Sequence, residues 1–138
     1  MTERFLVDTS VLARIPKPRV RSVVQPLHSA GLLATCAAVE LEILRTARTK
    51  AEAERIRDEM RGFDWLPTTD EIWDRALDVQ VLLTGVGNWR ALSVADLVVA
   101  ATAERHGVAV LHYDGDFDMI AGVTGQPTRW VVDPGTAD

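Results

Sequence analysis

Phe5-Leu6-Val7-Asp8-Thr9-Ser10-Val11-Leu12 is the stretch that decides the fold, because an apolar run here meets a polar turn. The unbroken apolar run 5–7 is typical of a strand covered on both faces in a parallel sheet. Asp8 follows it directly, and in open α/β sheets ligands bind outside the carboxyl ends of the strands. Asp8 is therefore a candidate site residue. An Asp or Ser at this point could equally cap a following helix, and the stretch alone leaves both interpretations open.

A second apolar run, 108–111, leads into another acidic turn that contains Asp114 and Asp116. Elsewhere, apolar runs alternate with helix-forming segments. Strands are predicted at 32–35, 63–66 and 130–132, and helices at 20–30, 37–61 with a break near 46–50, 69–83 and 94–106, with a short helical turn at 119–121. This alternation predicts an α/β fold with a mostly parallel central sheet covered by helices. Asp8 and Asp114 should then meet at one edge of that sheet.

Composition indicates one folded domain that needs no disulfide. The chain has 138 residues, 47% of them hydrophobic and 25% charged, which excludes wholesale disorder. We expect a single domain over residues 1–133 and a polar tail, 134–138, that frays. Cys36 is the only cysteine and is expected to fill core space. The sequence shows neither a basic leader nor an apolar run of membrane-spanning length, so we expect a cytoplasmic protein.

Several carboxylates at one sheet edge would repel each other strongly. Two unit charges about 4 Å apart interact by roughly 4 kcal/mol at an effective dielectric near 20, so the cluster needs a cation or a shared proton. Oxygen ligands without cysteine or histidine favour Mg²⁺ or Mn²⁺ over Zn²⁺. Such ions support displacement at phosphorus, which predicts phosphodiester hydrolysis. The net charge of −5 argues against a generally sticky nucleic-acid binder but is compatible with such an enzyme.

Four short motifs in order give the chain a family resemblance that covers nearly its whole length. They are Val7-Asp8-Thr9-Ser10-Val11, Glu42-Ile43-Leu44-Arg45-Thr46-Ala47-Arg48, Ala95-Asp96-Leu97-Val98-Val99-Ala100-Ala101-Thr102-Ala103 and Asp114-Gly115-Asp116-Phe117. In these motifs the chain resembles the PIN-domain ribonucleases, and among them the VapC-type toxins of prokaryotic toxin–antitoxin pairs. The resemblance implies a PIN-like three-layer fold, metal-dependent cleavage of RNA, a homodimer and inhibition by a cognate VapB-type antitoxin.

The resemblance also implies a set of site residues. The acidic quartet that binds the metal and carries catalysis in that family matches Asp8, Glu42, Asp96 and Asp114. Asp116 matches a possible further metal ligand, and Thr9 matches a hydroxyl position close to the metal. Arg14, Arg45 and Arg48 are weaker candidates for holding phosphates, because exposed helix arginines usually serve only to solvate the surface.

Glu40 competes with Glu42 for the position on the long helix. Residues two apart on a helix point about 200° apart, so both cannot face one site. The helical wheel does not exclude Glu40, which lies on the more apolar arc. The family motif favours Glu42, and we predict Glu42.

Asp96 and His112 each have a structural interpretation as well. An acid in the first turn of a helix, such as Asp96, is favoured by the helix dipole. Here the following residues are almost all apolar, so this turn should lie against the sheet, where an unpartnered carboxylate is costly. A lone His after a strand, such as His112, is more often a structural residue with its hydrogen bonds satisfied than a general base.

The four tryptophans, Trp65, Trp73, Trp89 and Trp130, are expected in the core or a dimer contact rather than as base-stacking platforms.

Two other functions fit parts of the sequence. An aspartate-dependent phosphatase would form an aspartyl-phosphate on Asp8, but its usual pattern has a second Asp where Ser10 stands. A non-catalytic RNA- or protein-binding module would retain the fold without metal, although all four quartet positions are acidic here. Hydrolysis of RNA remains the prediction.

Overall fold

The structure is a computed structural model that describes residues 3–138. A sheet of five parallel strands organises this part of the chain. The strands are β1 (Phe5–Val7), β2 (Leu33–Thr35), β3 (Asp64–Trp65), β4 (Ala109–His112) and β5 (Thr128–Trp130). Their order across the sheet is β3-β2-β1-β4-β5, and every neighbouring pair is parallel. The predicted α/β fold with a mostly parallel sheet is confirmed, and among the described strands the sheet is parallel throughout.

Helices connect the strands. They are α1 (Thr9–Leu12), α2 (Pro18–Ser29), α3 (Ala37–Leu44), α4 (Lys50–Met60), α5 (Asp70–Leu83), α6 (Val94–His106) and α7 (Asp116–Thr124), with a 3₁₀ turn at Trp89–Ala91. α6 begins and ends where its sequence predicts, because Ser93 caps its first turn and Gly107 ends it with a φ of +67°. Across residues 3–138 no helix combines the length and the apolar character that crossing a bilayer requires.

The two faces of the sheet bury different sets of residues. Leu6 and Val110 pack in a core cluster with side chains from α3 to α7, among them Val99 and Phe117. Phe5, Val7 and Leu111 alternate with them and pack on the other face with Val20 and Val24 of α2. This alternation gives the predicted three layers, helix on sheet on helix.

The register of the strands places two acidic turns side by side. Val7 pairs with Leu111, and the Asp8 backbone N–H donates to the Leu111 carbonyl over 2.9 Å. The chain therefore leaves β1 and β4 at the same carboxyl edge, with Asp8 beside the turn that leads to Asp114.

The last part of the chain differs from prediction. α7 spans nine residues rather than a short turn, and β5 lies two residues earlier than predicted. The prediction of a frayed tail is wrong. Ala137 is buried, its N–H donates to the Tyr113 hydroxyl over 2.9 Å, and its carbonyl accepts from Arg14 Nε over 3.0 Å. The extent of the domain, residues 1–133, stays a prediction.

Candidate metal centre at the carboxyl edge of the sheet

Asp8 is both a helix cap and a buried acid. Its Oδ2 accepts from the Ser10 backbone N–H over 3.0 Å and from the Ser10 hydroxyl over 2.6 Å, which caps α1. Its other oxygen, Oδ1, is buried and has no hydrogen-bond partner. The helix cap is therefore present, and it uses only one of the two carboxylate oxygens, so the role of Asp8 as a site residue stays a prediction that the cap does not oppose.

The surroundings of Asp8 disfavour its charge. Burial is the main cause that raises its pKa, from the ordinary 3.8 to about 6, and the negative charges of Asp96 and Glu42 add to the increase. The hydrogen bonds from Ser10 lower the pKa and oppose part of this effect. A nearby cation would restore the charged form.

Asp96 lies in the first turn of α6 and is also buried. It forms a capping box: Ser93 Oγ accepts from the Asp96 N–H over 3.1 Å, and Asp96 Oδ2 accepts from the Ser93 N–H over 3.2 Å. Burial raises the pKa of Asp96, and the charge of Asp114 raises it further. Asp96 thus lies in the first helical turn, as predicted, and its capping role does not account for its burial.

Asp96, Asp114 and Asp116 form a compact group in which one carboxylate oxygen from each lies within 4.8 Å of the others. Asp114 Oδ1 accepts from the Asp116 backbone N–H over 3.0 Å, which folds the turn before α7. Burial and then the charge of Asp114 raise the pKa of Asp116 to about 6. Three acids converge here from two different parts of the chain.

The structure separates the two glutamates of α3. Glu42 Oε1 accepts from the Thr9 hydroxyl over 3.1 Å, and its charge acts on Asp8. Glu40 points elsewhere and pairs with Arg57 of α4 at 3.5 Å. Only Glu42 therefore faces the acids at the end of β1, together with Thr9.

This donor set fits a hard divalent cation. It consists of carboxylate oxygens from four separate segments, with a threonine hydroxyl beside them. The buried Asp8 Oδ1 has no hydrogen-bond partner, and a buried carboxylate oxygen without a donor is costly. Burial, with a smaller contribution from the neighbouring acids, raises the pKa of Asp8 and of Asp116 to about 6, and a bound cation would offset both causes.

His112 lies next to the acids but is closed to solvent. It is fully buried, its Nδ1 accepts from the Asp114 backbone N–H over 3.2 Å, and its ring packs on Phe117 and Trp130. Burial lowers the pKa of His112, which favours the neutral ring. These contacts fit a structural role and leave no path by which His112 could act as a base on a substrate.

The three candidate arginines have different surroundings. Arg14 binds backbone oxygens within the protein, Nε to Ala137 and Nη1 to Ser10 at 2.9 Å. Arg45 is exposed and lines a cavity together with Glu42. Arg48 is exposed and pairs with Glu52 at 3.5 Å. Arg45 is thus the candidate that the structure places beside an acid of the site.

Ser10 is a residue whose contribution sequence reasoning missed. Its hydroxyl donates to Asp8 and accepts from the Tyr113 backbone N–H over 2.9 Å, so it joins the ends of β1 and β4. The Asp-x-Ser spacing signals the local cap. The contact with Tyr113 spans 103 positions and has no local signal.

Comparison with known proteins places this chain in a family. The family model for the PIN domain matches residues 5–123. Ribonuclease VapC51 of Mycobacterium tuberculosis is 43% identical over 138 residues, which cover all of both chains. A toxin–antitoxin complex from Klebsiella pneumoniae has a chain with a TM-score of 0.72 and 16% identity, covering 94% of this chain and 98% of that one.

Another solved structure with this fold is Mycobacterium tuberculosis VapC20, described as a sarcin-ricin loop cleaving toxin. Its TM-score is 0.63 at 19% identity, and the match covers 89% of this chain and 99% of that one. The structural similarities show the fold, and the sequence match to a VapC ribonuclease over the full chain shows the relationship. This chain belongs to the PIN-domain family, among its VapC ribonucleases.

Proposed function

We propose that the protein is a metal-dependent endoribonuclease and the toxin of a type II toxin–antitoxin pair. The observation that carries the proposal is the convergence of Asp96, Asp114 and Asp116 within 4.8 Å, next to the buried, half-satisfied carboxylate of Asp8. A chain that is 43% identical over its full length to a VapC ribonuclease supports RNA as the substrate. The same relationship favours the nuclease over an aspartate-dependent phosphatase.

The catalytic residues in this proposal are the four acids of the sequence prediction. Asp8, Asp96 and Asp114 would hold a divalent ion, with Asp116 as a further ligand. Glu42 would be the fourth catalytic acid and add its negative charge to the same metal site. Bound there, the cation would supply charge neutralisation and Lewis acidity toward a phosphodiester. Thr9 orients Glu42 through its hydroxyl. Ser10 holds Asp8, and the buried His112 holds the backbone of Asp114.

Mg²⁺ or Mn²⁺ is the ion that this set of residues favours. Small, hard cations prefer carboxylate oxygens, whereas zinc sites usually include histidine or cysteine. The free cysteine, Cys36, is buried, and His112 is turned toward aromatic rings. Among the three candidate arginines, Arg45 is the one best placed to meet a phosphate, because it is exposed near Glu42 whereas Arg14 and Arg48 are engaged within the protein.

The direct test is cleavage of a mixed RNA pool with Mg²⁺ or Mn²⁺. Asp8→Asn and Asp96→Asn should abolish cleavage, because each removes a charge while keeping an oxygen that can accept the capping hydrogen bonds. Asp74→Asn is the matched control, since Asp74 is an exposed acid on α5. Equal cleavage by wild type and by both asparagine variants would overturn the metal site. Binding of RNA without any cleavage would favour the non-catalytic module.

The proposed partners are a VapB-type antitoxin and a second copy of the chain. The antitoxin follows from the toxin–antitoxin complex that shares this fold. An apolar strip on one side of the molecule supports the homodimer, because large apolar patches are unusual on monomers. The apolar strip consists of Leu41 of α3, Trp73, Leu77 and Val81 of α5, and Val94 of α6, all of them exposed.

This apolar strip continues into the acidic site. Leu41, Trp73 and Val94 line the same cavity as Glu42. A homodimer formed there would bring two acidic sites close together. We also propose a cytoplasmic location, which agrees with the single, unpaired cysteine.

A further inference from the structure

The last segment of the sequence, residues 134–138, packs against Tyr113. The Tyr113 hydroxyl accepts from the Ala137 N–H over 2.9 Å and donates to Asp138 Oδ1 over 2.7 Å. Ala137 is 4% exposed and packs in the same core cluster as Tyr113 and Val7. The segment is thus attached by hydrogen bonds and by apolar contact.

Tyr113 connects that segment to the acidic site. Its ring end holds Ala137 and Asp138, while its backbone N–H donates to Ser10 Oγ over 2.9 Å. Ser10 Oγ in turn donates to Asp8 Oδ2 over 2.6 Å. Tyr113 also immediately precedes Asp114 in the chain, so a shift of Tyr113 moves the supports of two proposed ligands.

Arg14 makes a second, parallel connection. Its Nε donates to the Ala137 carbonyl over 3.0 Å, and its Nη1 donates to the Ser10 carbonyl over 2.9 Å. The guanidinium carbon lies 4.6 Å from the centre of the Tyr113 ring, within cation–π range. Two N–H groups and the planar face of Arg14 are therefore engaged inside the protein, which argues against the phosphate-binding role predicted from sequence.

We propose that residues 134–138, together with Tyr113 and Arg14, form a clamp that positions the metal site from outside its ligands. The proposal rests on the proposed metal function. A carboxylate site binds a small cation well only if its oxygens are held in place, and outer partners of the ligands are a major part of that support. In this chain the support for Asp8 passes through Ser10 to Tyr113, Arg14 and Ala137.

Mn²⁺ binding to the intact protein, followed by the electron paramagnetic resonance of free Mn²⁺, tests the clamp without relying on cleavage. Ala137→Asp places a charge in the buried position and should release the segment. Tyr113→Phe keeps the ring and removes the hydroxyl that holds Ala137 and Asp138. Both should weaken Mn²⁺ binding by roughly threefold or more. Ala51→Asp makes the same substitution at an exposed position of α4, outside the clamp, and should stay within about twofold.

Thermal unfolding without metal shows which variants are folded at the temperature of the titration. If Ala137→Asp does not fold, Tyr113→Phe alone decides. A folded Tyr113→Phe protein with wild-type Mn²⁺ affinity would overturn the clamp while leaving the metal site standing. A wild-type protein that binds no Mn²⁺ would overturn the metal site itself, and the clamp with it.

Arg14→Met separates positioning from substrate binding. Positioning predicts weaker Mn²⁺ binding and, at saturating Mn²⁺, an unchanged KM for RNA. A raised KM for RNA with unchanged Mn²⁺ affinity would instead assign Arg14 to the substrate and remove it from the clamp.

Discussion

The Thr9 hydroxyl donates a hydrogen bond of 3.1 Å to Glu42 Oε1 and so joins the start of α1 to α3. Thr9 immediately follows Asp8, the acid at the end of β1. Glu42 belongs to a different strand–helix unit, 33 positions away. Through this bond the side chain of Glu42 is held on the side of α3 that faces the other acids.

Replacing Thr9 tests whether this bond orients Glu42. Thr9→Val keeps the shape of the side chain and removes the hydroxyl donor. It should reduce the cleavage rate about tenfold or more and weaken metal binding, because loss of a hydrogen-bond partner of a metal ligand usually has both effects. Thr9→Ser keeps the hydroxyl and should retain most of the activity. Initial rates of RNA cleavage across a Mn²⁺ titration measure both effects. Equal loss in the valine and serine variants would contradict this role.

The two glutamates of α3 should respond differently to the same change. Glu42→Gln should abolish or severely reduce cleavage, because it removes a charge from the acidic site. Glu40→Gln should leave cleavage intact and cost at most about 1 kcal/mol of stability, because it weakens an ion pair with a largely exposed Arg57. Cleavage rates and urea unfolding of the two proteins check this. Loss of cleavage only in Glu40→Gln would reverse the assignment.

Asp8→Asn should stabilise the metal-free protein even though it abolishes cleavage. At neutral pH the buried carboxylate is ionised against its surroundings, since its pKa is raised to about 6. Removing the charge should increase the free energy of unfolding in EDTA, on the order of 1–2 kcal/mol. Urea unfolding at pH 7 with and without Mn²⁺ measures it. Excess Mn²⁺ should stabilise the wild type and leave the variant unchanged.

The stability of the metal-free protein should fall as pH rises from about 4 to about 6. The folded protein raises the pKa of Asp8 and Asp116 from 3.8 to about 6, so it binds protons more tightly than the unfolded chain. This contribution to stability is fully present below pH 3.8 and is lost as pH passes 6. Urea unfolding in EDTA between pH 4 and 6 should show the decrease, below the range in which the lowered pKa of His112 acts most strongly in the opposite direction. Asp8→Asn should show a smaller one, and an identical slope in both proteins would contradict the assignment.

Leu77→Arg should separate a homodimer formed through the apolar strip. Leu77 lies at the centre of the strip and is 68% exposed in the single chain, so the substitution should leave the fold intact. Leu82→Arg is the matched control, because it adds the same charge on the same helix about 140° away. Sedimentation velocity should report a dimer for wild type and Leu82→Arg and a monomer for Leu77→Arg. A dimer in all three would place the interface elsewhere.

The sequence predicted best the elements whose signals are local. β1, β4 and α6 lie within one residue of prediction. The two strands are buried on both faces and so form unbroken apolar runs, and α6 is bounded by the Ser93 cap and by Gly107. β5 was predicted two residues too late, because its residues, Thr128–Trp130, are only partly buried and include a charged arginine. The start of α7 was missed because its first turn is acidic and resembles a solvated loop.

The contacts of the site depend on pairs far apart in the chain. The wheel of α3 could not decide between Glu40 and Glu42, because their distinction lies in the partners Arg57 and Thr9. The tail was predicted to fray because it is short and polar. Its attachment depends on Tyr113 and on Arg14, the latter 123 positions from Ala137, and no pattern within the tail indicates either.

The capping box of α6 has a consequence for how the protein behaves between turnovers and during ion exchange. Asp96 Oδ2 is restrained by the Ser93 N–H of its own capping box, so this side chain should lose little further freedom when an ion arrives. Asp8 is restrained in the same way by Ser10. Loss of the ion would therefore switch activity off while the hydrogen bonds that hold the edge of the fold stay formed.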